Sequence, residues 1–360
     1  KANTDSTTDG DDPPLSPRSA YLKKMEEFNL RPERIQFDKE KTDLSIQNYG
    51  LGDQRMEAFA MSLSHFPYEL VNISSNRITS HGLQHICRNL SDGRFTLDVS
   101  SNNIGAIGVE HLISFVLRPP PTQRIQHELV TLSLASCKIG DAGAEALGEG
   151  LKGNKYLKRL LVSNNDIEEE ACMELCKGLM TCNQLEELDI SWNNIDLAAA
   201  ALIKQLNKLQ WLDISSNSLG SQTATDQSDG FLASEQAADG QGGSTAMIVR
   251  IANAIADNEN LLHLSLSNNK FDARQLSILA QLLDGNHTLI GLHLSHPNAY
   301  IDSHGFVRVS GPRGIRQAGE AKNDEDSNTA IADAGAFGSS HHYHDAIKSG
   351  GSRDTGEKMA

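Results

Sequence analysis

Three groups of residues have types and spacings that suggest chemistry. His341-His342-Tyr343-His344-Asp345 gathers metal-ligand side chains within one short stretch. It falls in a Gly/Ser/Ala-rich tail without a fixed second shell, so no metal site is expected there. Cys172 and Cys176 stand four residues apart, with Cys182 soon after. A reactive or metal-binding cluster is one reading, but free cysteines on a helix pack as small hydrophobes, and that reading is preferred. Asparagine recurs at positions 76, 102, 165, 193, 217 and 269. It is read as an inner ladder that bonds turn backbone groups rather than as a polar site. The sequence shows no P-loop or Rossmann glycine pattern, zincin helix, nucleophile elbow or kinase signature. No catalytic residue, metal or cofactor is expected.

The recurring asparagines belong to a repeat. Leu185-Glu-Glu-Leu188-Asp-Ile190-Ser-Trp-Asn193-Asn-Ile195 fits L-x-x-L-x-L-x-x-N-x-L. So do the segments from Leu157 to Ile167, Leu209 to Leu219 and Leu261 to Phe271. Leu129 to Ile139 fits with Cys137 at the Asn position, and shorter matches end at Ile78 and Ile104. Tyr49 and Pro297 stand at the anchor of the first and last candidates. The nine anchors are spaced by 27, 26, 35, 28, 28, 24, 52 and 28 residues. A unit of about 28 residues emerges, with one insertion before residue 137 and another near Ser221–Ser244.

The second half of each unit has helical spacing. A small residue stands six after most anchors (Gly82, Gly108, Gly143, Ala171, Ala199), and an apolar one follows at ten (Phe59, Ile86, Leu112, Leu147, Leu175, Ile203, Leu279). Another often follows at fourteen, which places both on one helix face. Each unit therefore reads as strand, turn, helix and loop. None buries its apolar face alone; stacking buries them together.

These motifs resemble the ribonuclease-inhibitor-like class of leucine-rich repeat proteins, over about Asp43 to Ile301. The resemblance implies an α/β solenoid, a horseshoe with a concave parallel sheet inside and convex helices outside. The domain reading follows: residues 1–20 disordered, 21–42 an N-terminal cap with a short helix over Tyr21–Phe28, 43–309 the repeat domain, 310–360 a low-complexity tail. Gly305–Val309 is read as a closing strand. Arg118-Pro-Pro-Pro-Thr122 reads as a stiff spacer. Phe231-Leu232, inside the acidic insertion, and Thr329–Phe337, in the tail, are candidate docking stretches, the insertion itself being read as a mobile loop.

The concave face is where a partner would bind, through residues between the strand leucines. Four before the anchor stand Asn72, Asp98, Ser133, Leu161, Asp189, Asp213, Ser265 and His293; the positions two and one before are mostly Ser and Asn, with Trp192 the exception. The candidate partner-binding residues are Asp98, Leu161, Asp189, Trp192, Asp213 and His293, with Trp192 as the large anchor.

Charge and composition narrow the function. There are 32 Lys+Arg against 47 Asp+Glu, a net charge of −15, which argues against nucleic acid and anionic membranes. No apolar run is long enough to span a bilayer. Five cysteines, an odd number, and no visible signal peptide point to a reducing, cytoplasmic setting. The chain begins at Lys1, and an upstream segment is expected to be missing. The expected function is a non-enzymatic interaction scaffold for basic or amphipathic protein segments within a larger assembly. Proteins of similar look suggest a cytoskeletal, axonemal or ciliary one. Activators of the small GTPase Ran also resemble this architecture, and that resemblance implies one alternative: a GTPase-activating role for Arg77, the arginine that directly follows an anchor. An immune-type receptor would need a nucleotide-binding module that these residues lack. A ribonuclease inhibitor proper is disfavoured, because the chain is rich in neither Cys nor Trp.

Overall fold

The structure, a computed structural model, describes residues 16–37, 41–119, 127–220, 243–283, 286–295, 299–301 and 307–309. The chain divides into two compact units, Lys1–Pro312 and Arg313–Ala360, and every described residue lies in the first. The readings made for residues 1–15, Pro120–Thr122, 221–242, His296, Pro297 and 310–360 lie outside the described residues. They include those for Phe231-Leu232, Thr329–Phe337 and His341–Asp345.

Nine short strands form one parallel sheet in chain order. They are β1 Asp43–Ser45, β2 Leu70–Asn72, β3 Gly93–Asp98, β4 His127–Ser133, β5 Arg159–Leu161, β6 Glu187–Asp189, β7 Trp211–Asp213, β8 His263–Ser265 and β9 Gly291–His293. The residues five before each anchor, leucine at all but Val71, line up in register, as in Leu160↔Leu188↔Leu212↔Leu264. All four are fully buried. At about 1.5–3 kcal/mol per buried aliphatic side chain, this stacked column is the main source of stability.

Between the strands run the helices α2 Gly52–Ala60, α3 Ser80–Asn89, α4 Gly105–Leu112, α5 Gly140–Leu151, α6 Glu169–Leu179, α7 Ala198–Gln205, α8 Gly243–Ala256 and α9 Ala273–Leu283, with α1 Pro17–Glu27 before the first strand. Helices pack about 8–10 Å apart and strands about 4.8 Å apart, so the sheet takes the inside of the bend. The small residues six after the anchor lie over the isoleucine two after it: a Cβ on Gly108 would meet Ile104 Cγ2 at 2.1 Å. The extra residues before β4 begin with a π-helical turn over Ile113–Leu117, an extension of α4.

Two boundaries shift from the sequence reading. The first helix starts at Pro17, inside the stretch assigned to disorder, because Ser16 accepts the Ser19 N–H as a cap and Pro17 fits the first helical turn. The helix α8 reaches back to Gly243, inside the insertion as drawn from repeat phase. The Tyr21 ring reaches Phe37 and, through it, Phe59 of the first unit. At the other end β10 Ala299–Ile301 pairs antiparallel with β11 Val307–Val309, which lies against α9.

The asparagines form the ladder read from the sequence. Asn165 Nδ2 donates to the carbonyls of Leu134, Val162 and Ser163 at 2.8, 3.0 and 3.1 Å. Its Oδ1 accepts from the N–H groups of Cys137 and Ile139 at 2.9 and 3.3 Å. Asn102, Asn193 and Asn217 repeat this pattern.

A second cross-unit device is a carboxylate that caps the next helix. Asp53 Oδ1 accepts from the N–H of Thr79 and Gly82, Asp141 Oδ1 from that of Glu168, and Glu169 Oε2 from that of Asp196. At the last of these, two acids share a half-buried corner. Burial, and then the Glu169 charge, raise the Asp196 carboxyl to about 6. A raised folded pKa means that the native state holds this proton more tightly than the unfolded chain does. Stability is therefore expected to fall as pH climbs from about 4 to 6. Asp196→Asn should raise the melting temperature at pH 7 and flatten this slope. Melting curves from pH 4.5 to 7.5 check it, and parallel pH profiles for the two proteins would refute it.

Candidate partner-binding face

Side chains alternate along a strand, so the residues flanking each buried central leucine face the concave side. The row four before the anchor was identified from the sequence, and the structure puts each member at a strand end. Asp189 and Asp213 stand directly opposite each other across β6 and β7. Leu161 is next to Asp189 on β5. Asp98 on β3 and His293 on β9 lie apart from this group, three strands before Asp189 and two beyond Asp213. Of the expected residues, Leu161, Asp189, Trp192 and Asp213 therefore lie on neighbouring units, and Asp98 and His293 do not.

The aspartates also have a local structural role. Asp98, Asp189 and Asp213 each accept, at Oδ1, the N–H two residues on, at 3.0, 3.0 and 2.8 Å. Asn72 does the same at 3.0 Å. These are Asx turns, which end the strand and start the tight bend toward the anchor. Ser191 Oγ adds a 2.6 Å bond to Asp189, and Asn72 Nδ2 one of 2.9 Å to Asp98. Burial nevertheless pushes the Asp189 carboxyl up, opposed by Ser191 and reinforced by the Asp213 charge.

Trp192 is the exception among its equivalents. The residue before the anchor is left-handed in eight units: Asn48, Ser75, Ser101, Ser136, Asn164, Trp192, Ser216 and Asn268 have φ between 53° and 61°. Asn tolerates this conformation and Ser is small, whereas a bulky indole is strained there by about 1 kcal/mol. Its N–H donates to Ser215 O at 2.9 Å, and its side chain is 62% exposed.

One row escaped the sequence reading. The residues six before the anchor share the same face, and in the central units these are Arg159, Glu187, Trp211 and His263. Extending the alternation one step upstream of each central leucine would have found them. Arg159 is paired with Glu187 at 2.7 Å, and Lys158 with Glu186 at 2.6 Å.

Of the remaining chemical candidates, the cysteines resolve into packing. All five cysteines are free and buried, and burial raises the thiols of Cys172, Cys176 and Cys182, the last two to about 12 and about 11. Such thiols lack the thiolate character of a reactive or metal-binding group. Arg77 is exposed and left-handed at φ 60°. Lys138, Asp166 and Lys270 occupy the same slot with the same backbone, so Arg77 is one variant of a solvent-facing position.

A family profile described as Leucine Rich repeat matches residues 96–112, 127–148 and 181–203. The ribonuclease inhibitor of Mus musculus is 29% identical over 191 residues, covering 50% of this chain and 40% of that protein. The ribonuclease inhibitor of Sus scrofa is 27% identical over 141 residues, 38% of this chain and 30% of that one. The NACHT, LRR and PYD domains-containing protein 12 of Mus musculus is 26% identical over 232 residues, 58% of this chain and 21% of that one. The chain thus spans between about a fifth and two fifths of these relatives. Nine stacked strand–helix units with a shared ladder and these matches agree: the chain is a leucine-rich repeat protein of the ribonuclease-inhibitor-like class.

Proposed function

We propose that the chain is a non-enzymatic interaction scaffold that seats a basic or amphipathic segment of a partner protein on its concave face, centred on Trp192. The observation that carries this reading is Trp192 itself. In a slot that Ser and Asn fill elsewhere, an indole brings backbone strain and exposes apolar surface without adding to the core. A bound partner supplies the missing contact, and tryptophan is the residue type most enriched at interface hot spots. The repeat architecture supports the same reading, because its face is broad, preformed and rigid. Membership of a larger assembly, cytoskeletal or ciliary, follows from the resemblance alone. No helix among the described residues is long and apolar enough to cross a membrane.

Trp192→Asn separates binding from folding. Relief of the left-handed strain is expected to raise unfolding stability by about 0.5–1 kcal/mol. Loss of the anchor is expected to weaken partner capture by at least about tenfold, the scale of a hot-spot side chain. Urea unfolding and quantitative co-purification with the wild-type and variant chains check both signs. An unchanged partner list at unchanged yield would remove Trp192 from the interface.

A further inference from the structure

Charge is unevenly balanced where the sixth and seventh units meet. The basic residues of β5 and its edge are already engaged, Arg159 with Glu187 and Lys158 with Glu186. Asp189 and Asp213 lie opposite each other in parallel register on strands about 4.8 Å apart. Each uses Oδ1 to bond its own turn. Among the described residues no Lys, Arg or His forms an ion pair with either carboxylate. Like charges directly opposed across a sheet repel, and partial burial strengthens the repulsion. Trp211 precedes Asp213 by two residues and so shares its face, and Trp192 stands exposed three residues beyond Asp189.

We infer that this part of the face receives an arginine from a partner protein, its guanidinium between Asp189 and Asp213 and against Trp211, while an apolar residue of the same segment covers Trp192. The inference rests on the reading of the concave face as the docking surface and names what docks there. Arginine fits better than lysine. Its planar fork bonds two carboxylate oxygens at once and stacks on an indole, whereas an ammonium is a strongly hydrated point charge. A net charge of −15 disfavours a second copy of this chain as the occupant, since two such chains repel.

The test uses the full chain and a phage-displayed library of random dodecapeptides as probe. Arginine is expected to be enriched over lysine among the selected peptides. A synthetic copy of the best binder should lose about tenfold or more in affinity to the Asp189→Asn/Asp213→Asn double variant, and as much when its arginine is replaced by citrulline. The double variant should fold, because Asn72 makes the same turn bond in the second unit. Binders without arginine bias that are weakened only by Trp192→Ala would overturn the inference and leave the docking face standing. An absence of enriched peptides, or binders indifferent to both variants, would overturn both. Sedimentation showing a dimer that the double variant dissolves would place a second copy on the face and also overturn the inference.

Discussion

Asn165→Ala is expected to cost about 3–5 kcal/mol of unfolding free energy, a large share of what holds a domain of this kind together. The side chain is fully buried and tied to backbone groups of two successive units. Truncation leaves the N–H groups of Cys137 and Ile139 without their acceptor and three carbonyls without the donor that bridges them. These groups are buried, apart from the half-buried Ser163 carbonyl, so each buried one carries a desolvation penalty of about 1–3 kcal/mol, softened where a carbonyl keeps a second partner. A graded comparison comes from the protein itself. Cys137 fills the same slot one unit earlier, with Sγ 3.3 Å from Val99 O and 3.6 Å from Ala135 O. Asn165→Cys should therefore lose less than Asn165→Ala. Urea denaturation of the three proteins measures the order. A loss below about 1 kcal/mol for the alanine variant would show that the ladder does not bear on stability.

Gly178→Ala is expected to cost about 3 kcal/mol or more, and Gly178→Leu to prevent cooperative folding. The helices α5 and α6 touch through glycines. A Cβ on Gly178 would lie 2.0 Å from Gly148 O, and one on Gly148 2.7 Å from Glu174 O. Both clashes are with helix backbone, which moves only if the helices separate and the stacking of two units opens. Gly150→Ala provides the contrast. Its Cβ would meet the Ile113 side chain at 2.5 Å, and a side chain can turn away, so about 1–2 kcal/mol is expected there. Thermal unfolding of the two alanine variants decides the matter. An equal, small loss at both sites would mean that the α5–α6 contact has room for a methyl group.

Much of this was legible along the chain. Leu188, Ile190, Asn193 and Ile195 each occupy the place their spacing assigns, since a strand buries every second residue and the unit recurs about every 28. The role of the asparagines was legible too, because a buried polar residue at a fixed place in each turn must bond the backbone. Other features that join different units were not. The Asp53 carboxylate and the Thr79 N–H it caps are 26 residues apart and meet only after stacking. Gly148 and Gly178 look like ordinary helix interruptions until α5 and α6 are side by side. Trp211 was hidden for a simpler reason: it fills an unspecified position of the motif, between Leu209 and Leu212. Of the candidate site, Trp192, Asp189 and Asp213 do come together, whereas Asp98 and His293 share a row with them but not a neighbourhood. Equivalent positions in a repeat recur at every unit, and a row alone does not say which members a single partner can cover.

Site-specific photocrosslinking addresses the docking face most directly. Benzoylphenylalanine is placed at Trp192 on the concave side and, in a second protein, at Ile107, which is 60% exposed on α4. Both proteins are irradiated within the native assembly that co-purifies with the chain. The expected result is a crosslinked partner from position 192 and none from position 107. Crosslinks from position 107 with none from position 192 would place the partner on the helical side and contradict the concave docking face.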